Sequence, residues 1–271
     1  MIPSKAKAKG TKPRVSFPSP KACGDDPMAP VAMAPIAWRT RCEADLRAFT
    51  DADSIRFWGI AHQVDGAAQP VFNYRFEHTT AAVKLGRWLC PQVNADLDIV
   101  ECALWLHDCR KRLKDPLSKD NHAIDASAEV PAILRGTDFP PSKVAAVCHA
   151  IEHHVGLKLT KKLSPIETAC VWDADKLSKL GAASLIHFGC ISGAFQPITT
   201  GDILLRGEAW LKLCKVIVAS MNTQPGKLEA ERRLAFLQTH YRQLRREWMQ
   251  PMEPTAPSAP AFANLSGAPV P

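Results

Sequence analysis

The chain lacks any apolar run approaching the roughly 20 residues of a membrane-spanning helix, so no membrane association is expected. No CxxC pair occurs among its nine cysteines, which leaves a zinc ribbon without support. Their odd number and single placement within apolar helical patterns predict buried thiols in a reducing, cytoplasmic setting. No secretory signal is legible, because the apolar stretch from Met28 to Trp38 is short and broken by Pro30 and Pro35. Alternating apolar and polar runs of strand type are absent, as are internal repeats.

An excess of charge is also missing from most of the chain. The formal net charge is +7, but Lys5, Lys7, Lys9, Lys12, Arg14 and Lys21 lie in an acid-free opening stretch. Without residues 1–24, 28 basic residues face 27 acidic ones. The basic balance therefore belongs to a tail, and specific nucleic-acid binding is not expected. Residues 1–36 are rich in Lys, Pro, Ala and Ser without periodicity and are expected to be disordered, as is the Pro/Ala-rich segment 251–271.

What remains, residues 37–250, is helical in periodicity throughout and predicts one all-α unit. A first helix is expected over about Ala44 to His62 and a second from Tyr74 to Cys90, ended by Pro91. Along the second, His78, Ala82, Leu85 and Leu89 share one face. The third, with Asn94 as its expected N-cap, carries Leu97, Val100, Leu104 and His107 on an apolar stripe. A polar loop over residues 111–120 leads to a helix containing His122. Pro140-Pro141 opens another through Val144, Val147, Ile151 and His154, stopped by Gly156. Ser164-Pro165-Ile166-Glu167 reads as a capping box ahead of a helix bearing Asp173 and Asp175 and ending near Gly181. Gly201 to Met221 and Lys227 to Trp248 are expected as two long closing helices, with turn chemistry over Asn222 to Gly226 between them. The arginines of the last helix are expected to form a solvated face.

A single histidine on an apolar helix face is usually a satisfied core residue. The set is more informative. His78 and His107 sit on buried stripes of successive helices, Asp108 follows His107 directly, and an acidic pair interrupts an apolar helix at Asp173 and Asp175. Imidazole and carboxylate together suit Mn, Fe, Co, Ni, Mg or Zn.

His78 in Glu-His-Thr, His107-Asp108 after Ala-Leu-Trp-Leu, and Asp175 in Ala-Asp-Lys-Leu together resemble the H…HD…D pattern of the HD superfamily of metal-dependent phosphohydrolases. The similarity runs over roughly residues 41–249. It implies a PDEase-like helical bundle in which His78, His107, Asp108 and Asp175 hold one divalent metal. Asp175 occupies the family's A-D-x-L position, so Asp173 is expected to be a structural or supporting residue. The bound cation would polarise a phosphoryl oxygen and acidify an attacking water, with Asp108 orienting it.

Many relatives read H-D-I-G-K where this chain has His107-Asp108-Cys109-Arg110-Lys111. Lys111 keeps the lysine position and is the candidate for neutralising substrate phosphate. The 5′-nucleotidase branch can carry a glutamate there, so that branch's acid/base mechanism does not transfer. His122, His153 and His154 resemble the extra histidines by which some HD proteins bind a second metal or contact phosphate. The GYP motif does not follow His154, where Val155-Gly156-Leu157 stands. The expected substrate is a small phosphate mono- or diester, a nucleotide foremost. The alternatives are an HD-type di-iron oxygenase and a non-catalytic helical scaffold.

Overall fold

The computed structural model describes residues 35–114, 118–195 and 199–249. The basic extension up to residue 34 and the Pro/Ala-rich tail lie outside the described residues, as does the middle of the 111–120 loop. Among the described residues the secondary structure is helical apart from one small hairpin and an isolated bridge, as the all-α expectation requires.

The first helix, α1 (Trp38–Trp58), begins six residues ahead of its expected start and stops at Gly59, whose φ of 72° ends the helix in the left-handed region. Its start is held from outside: the Trp38 amide donates to Asp138 Oδ1 at 2.7 Å, and the Trp38 and Phe139 rings meet edge to face. Ile36, assigned to the disordered extension, bridges to Thr137. Next come β1 (Ala61–Val64) and β2 (Ala67–Pro70), an antiparallel hairpin that corrects the expectation of a strand-free chain. Its loop is Asp65-Gly66, both at positive φ, the backbone that a two-residue hairpin turn demands. The flanking residues are too polar and too small to betray it by alternation.

Helix α2 (Tyr74–Val93) is capped by Asn73, whose side chain accepts from the Phe76 amide and donates to Thr50 and Asp51 of α1. The helix runs on through Pro91, which sits in its last turn and forgoes one backbone hydrogen bond there. Asn94 is the left-handed C-cap of α2, not the N-cap of the next helix; Asp96 caps α3 (Leu97–Leu106), accepting from the amides of Asp98 and Ile99.

Helix α4 (Ser118–Leu134) precedes a short 3-10 turn at Pro141–Lys143 and then α5 (Val144–Glu152). Helix α6 (Ile166–Leu177) has no side-chain cap. The capping box expected at Ser164 does not form, because Glu167 instead accepts from the Asp96 amide across the bundle at 3.1 Å. Helix α7 (Ala182–Phe195) lacks a clear stripe in sequence, being apolar around its circumference and interrupted by Gly189 and Gly193. Helix α8 (Thr200–Ala219) starts with a capping box between Thr199 and Asp202. Helix α9 (Gln224–Met249) begins within the expected turn segment.

The core is shared by α1 to α6, with Leu46, Leu89, Leu104, Leu106, Ile151 and Leu177 all fully buried; α8 and α9 pack on each other and α9 on α6. Six described cysteines (Cys42, Cys90, Cys102, Cys109, Cys170 and Cys214) are buried free thiols, and Cys190 is exposed. Among the described residues, no helix is long and apolar enough to cross a membrane.

Candidate metal centre

Five stretches converge in the middle of α2 to α6. His78 comes from α2, His107 and Asp108 from the end of α3, His122 from α4, His154 from just beyond α5, and Asp175 from α6. All six side chains are buried. His107 occupies the C-cap of α3 in helical conformation, and the turn continues with the Lys111 amide donating to the Asp108 carbonyl. Both consecutive side chains of this turn are buried in the cluster.

The tautomers of three histidines follow from their partners. His107 Nδ1 lies 2.7 Å from the Leu104 carbonyl and His154 Nδ1 2.5 Å from the Ile151 carbonyl. A carbonyl only accepts, so each Nδ1 carries the proton. The Ser178 hydroxyl donates to the Asp175 carbonyl at 2.6 Å, so its oxygen accepts from His78 Nδ1 at 2.9 Å. Each neutral ring therefore presents an unprotonated Nε2 to the interior.

Those nitrogens face one another and two carboxylates. His78 Nε2 and His107 Nε2 are 3.4 Å apart, and Asp175 Oδ1 is 3.0 Å from the first and 3.7 Å from the second. His122 Nε2 and His154 Nε2 are 3.3 Å apart. Asp108 stands between the two pairs. Its Oδ1 is 3.5 Å from both His122 and His154, and its Oδ2 is 3.9 Å from His78 and 3.8 Å from His107. Two ligand sets result: His78, His107 and Asp175, and His107, Asp108 and His154. A buried group of acceptors facing acceptors requires positive charge among them, and this donor chemistry fits a divalent cation.

Burial of the histidines and charge beside the aspartates act in the same sense. Burial lowers His78 to about 3 and His107 to about 4, and it also lowers His154, so the rings are neutral at physiological pH. For Asp108, burial acts upward, but the charges of Lys111 and Arg75 outweigh it and hold the carboxyl well below the usual carboxylate range. For Asp175 burial is likewise overcome, by the charges of Lys176 and Lys179.

Lys111 lies beside the cluster, its Nζ 3.2 Å from Asp108 Oδ1. His153 does not join the cluster: it is exposed, stacks on His149 with ring centroids 4.1 Å apart, and belongs to neither ligand set. Asp173 is buried on another face of α6, where it accepts from the amides and side chains of Asn222 and Thr223 at 2.7 to 3.1 Å.

Three further cations were not singled out in the sequence. Arg75 Nη1 is 3.2 Å from Asp108 Oδ2. Lys176, itself buried, pairs with Asp175 and donates to the His154 carbonyl at 2.7 Å, tying α6 to the end of α5. Lys179 pairs with Asp175 and reaches His78 Nε2 at 3.5 Å. Helical spacing was the available signal, since Arg75 precedes His78 by three positions and Lys179 follows Asp175 by four. Lys176 falls inside the Ala-Asp-Lys-Leu stretch, at the position the motif leaves open.

Comparison with known proteins agrees with this geometry. Residues 75–180 match the HD domain family. The fold is similar to that of Bacillus subtilis YpgQ (21% identity, 78% of this chain and 97% of that one covered, TM-score 0.51), which has also been solved in complex with ADP. It is similar as well to an HD-superfamily hydrolase of Bacillus thuringiensis (21% identity, 79% and 100% covered, TM-score 0.50). A third similar structure is a predicted HD superfamily hydrolase from an uncultured Thermotogales bacterium (19% identity, 80% and 96% covered, TM-score 0.51). Comparison with curated proteins returns no match. The histidine and aspartate pattern, the helical bundle that assembles it and the family match together identify residues 75–180 as an HD domain.

Proposed function

We propose that the protein is a metal-dependent phosphohydrolase that cleaves a phosphate mono- or diester, with a nucleotide as the favoured substrate class. His78, His107, Asp108 and Asp175 would hold a divalent cation, and His122 and His154 would serve a second one across Asp108. The observation that carries the reading is the set of bare Nε2 atoms, oriented by Nδ1 hydrogen bonds and turned onto two ionised carboxylates.

A bound divalent cation supplies Lewis acidity toward a phosphoryl oxygen and makes water acidic enough to attack near neutral pH. The chain's own residues supply the rest. Asp108, kept ionised, can accept a proton and orient the attacking water. Arg75 and Lys111 beside Asp108, and Lys179 beside Asp175, place positive charge where a phosphate would enter. Lys176 is buried against Asp175 and His154, which suits it to positioning rather than to substrate contact. The ADP complex of the similarly folded YpgQ favours a nucleotide, and the free cysteines suit a cytoplasmic location.

The test is metal analysis of the purified chain together with phosphate release from a nucleotide panel in Mn, Co, Ni and Mg. His107→Ala and Asp175→Ala should each bring metal content and turnover to background. Undiminished activity in both variants would overturn the site. The His122–His154 pair also favours a second reading, a di-iron oxygenase, which predicts bound iron and an absorption change on exposure to dioxygen.

A further inference from the structure

A cavity of about 250 Å³ opens beside the cluster, and its walls are largely apolar. Tyr74 and His78 of α2, Ser178 and Lys179 after α6, Phe188 of α7 and Trp210 of α8 are among the residues around it. His78 and Lys179 belong to the cavity and to the cluster alike, so a ligand in one reaches the other. The Tyr74 ring lies nearly parallel to His78, at 12° with centroids 6.1 Å apart, and His187 stands nearly perpendicular to Tyr74 at 87°. A second cavity, between α2 and Arg233, is lined by Glu77, Thr80, Lys84 and His187 and touches no residue of the cluster.

Four ring side chains (Tyr74, His187, Phe188 and Trp210) meet a cationic, acceptor-rich centre at one end of the first cavity. That combination suits a ligand with a flat aromatic part and an anionic part joined over a short distance. Flat rings stack on aromatic walls without regard to their substituents, whereas an alkyl chain gains nothing from ring orientation. Among the lining residues, the His187 ring nitrogens can meet ring heteroatoms.

We propose that this cavity seats the planar base of a nucleotide, so that Tyr74, His187, Phe188 and Trp210 select base-bearing phosphate esters over bare polyphosphates. The proposal rests on the phosphohydrolase reading for what happens at the other end of the ligand, and on the cavity alone for the base.

The experiment compares binding of ADP, adenosine, inorganic pyrophosphate and decyl phosphate to the full chain by calorimetry. Two variants accompany the wild type: Phe188→Ala, which enlarges the cavity, and Ser184→Phe, which fills it, each first shown to melt as the wild type does. Both should weaken ADP and adenosine by roughly tenfold or more and leave pyrophosphate within about twofold. Parallel losses for ADP and pyrophosphate, no loss for either, tighter binding of decyl phosphate than of ADP, or no measurable ADP binding would each overturn the proposal. If no phosphate is released from any ester while adenosine binding still depends on Phe188, the hydrolytic reading falls and the base site stands.

Discussion

Asp173 and Asp175 are two residues apart on α6, of the same type and both buried, yet they face different regions of the molecule. Asp173 looks toward the turn between α8 and α9, where neutral donors from Asn222 and Thr223 occupy both of its oxygens. Burial raises its pKa, and those donors act against the rise. Asp175 looks toward α2 and α3, where it meets unprotonated imidazole nitrogens and two lysines. A carboxylate saturated by amides and hydroxyls holds chain segments together. One confronted by other acceptors and by cations has the surroundings of the metal ligand we propose. The partners, and not the residue type, separate structure from chemistry.

The widest separation is expected from isosteric changes at the two positions. Asp175→Asn should reduce metal content and phosphate release to background, whereas Asp173→Asn should leave metal per folded molecule near the wild-type level. Loss of metal in both, measured by elemental analysis, would end the distinction. Asp173→Ala should then cost about 2–4 kcal/mol in denaturant unfolding, because the buried donors of Asn222 and Thr223 lose their acceptor. Gly226→Ala sharpens the same point from the opposite side. Its new Cβ would lie 2.6 Å from Asp173 Oδ2 and 2.7 Å from Thr223 Oγ1, for a destabilisation of about 1–3 kcal/mol with the metal centre intact.

The gentlest effect concerns pH. His78 and His107 titrate at about 3 and about 4 in the folded chain against an ordinary value of 6.5. The unfolded chain therefore takes up protons first, and the metal-free protein should lose stability progressively as pH falls from about 6.5 toward 4. Asp108 and Asp175, held below the usual carboxylate range, add their loss only at still lower pH. Thermal melts of the chelator-treated protein across this range check it, and a midpoint that rises on acidification would contradict the assigned protonation states.

Local pattern made much of the cluster legible. The stripe through His78 and Leu85 and the one through Leu104 and His107 point inward as periodicity predicts, and the family resemblance selected Asp175 over Asp173. Local pattern also misled. Asn94 has the side chain of an N-cap but serves α2 as a left-handed C-cap, since Asp96 is better placed for the amides of Asp98 and Ile99. Ser164 and Glu167 have capping-box spacing, yet Glu167 is drawn to the Asp96 amide 71 positions away. Asp65-Gly66 carried a hairpin signal that flanking residues did not reinforce. His153 and His154 are adjacent in sequence and part company because α5 ends at Glu152, leaving one ring exposed and the other buried.

The sequence by itself determined the helical class and the apolar faces that bury His78 and His107, because helix periodicity is a short-range property of the chain. Only the tertiary structure decided that His122 and His154 meet across Asp108, that Arg75 reaches Asp108 and Lys176 the His154 carbonyl, and that an aromatic cavity adjoins them. Those contacts join separate helices, and their distances are set by how the buried faces pack rather than by anything a single segment encodes.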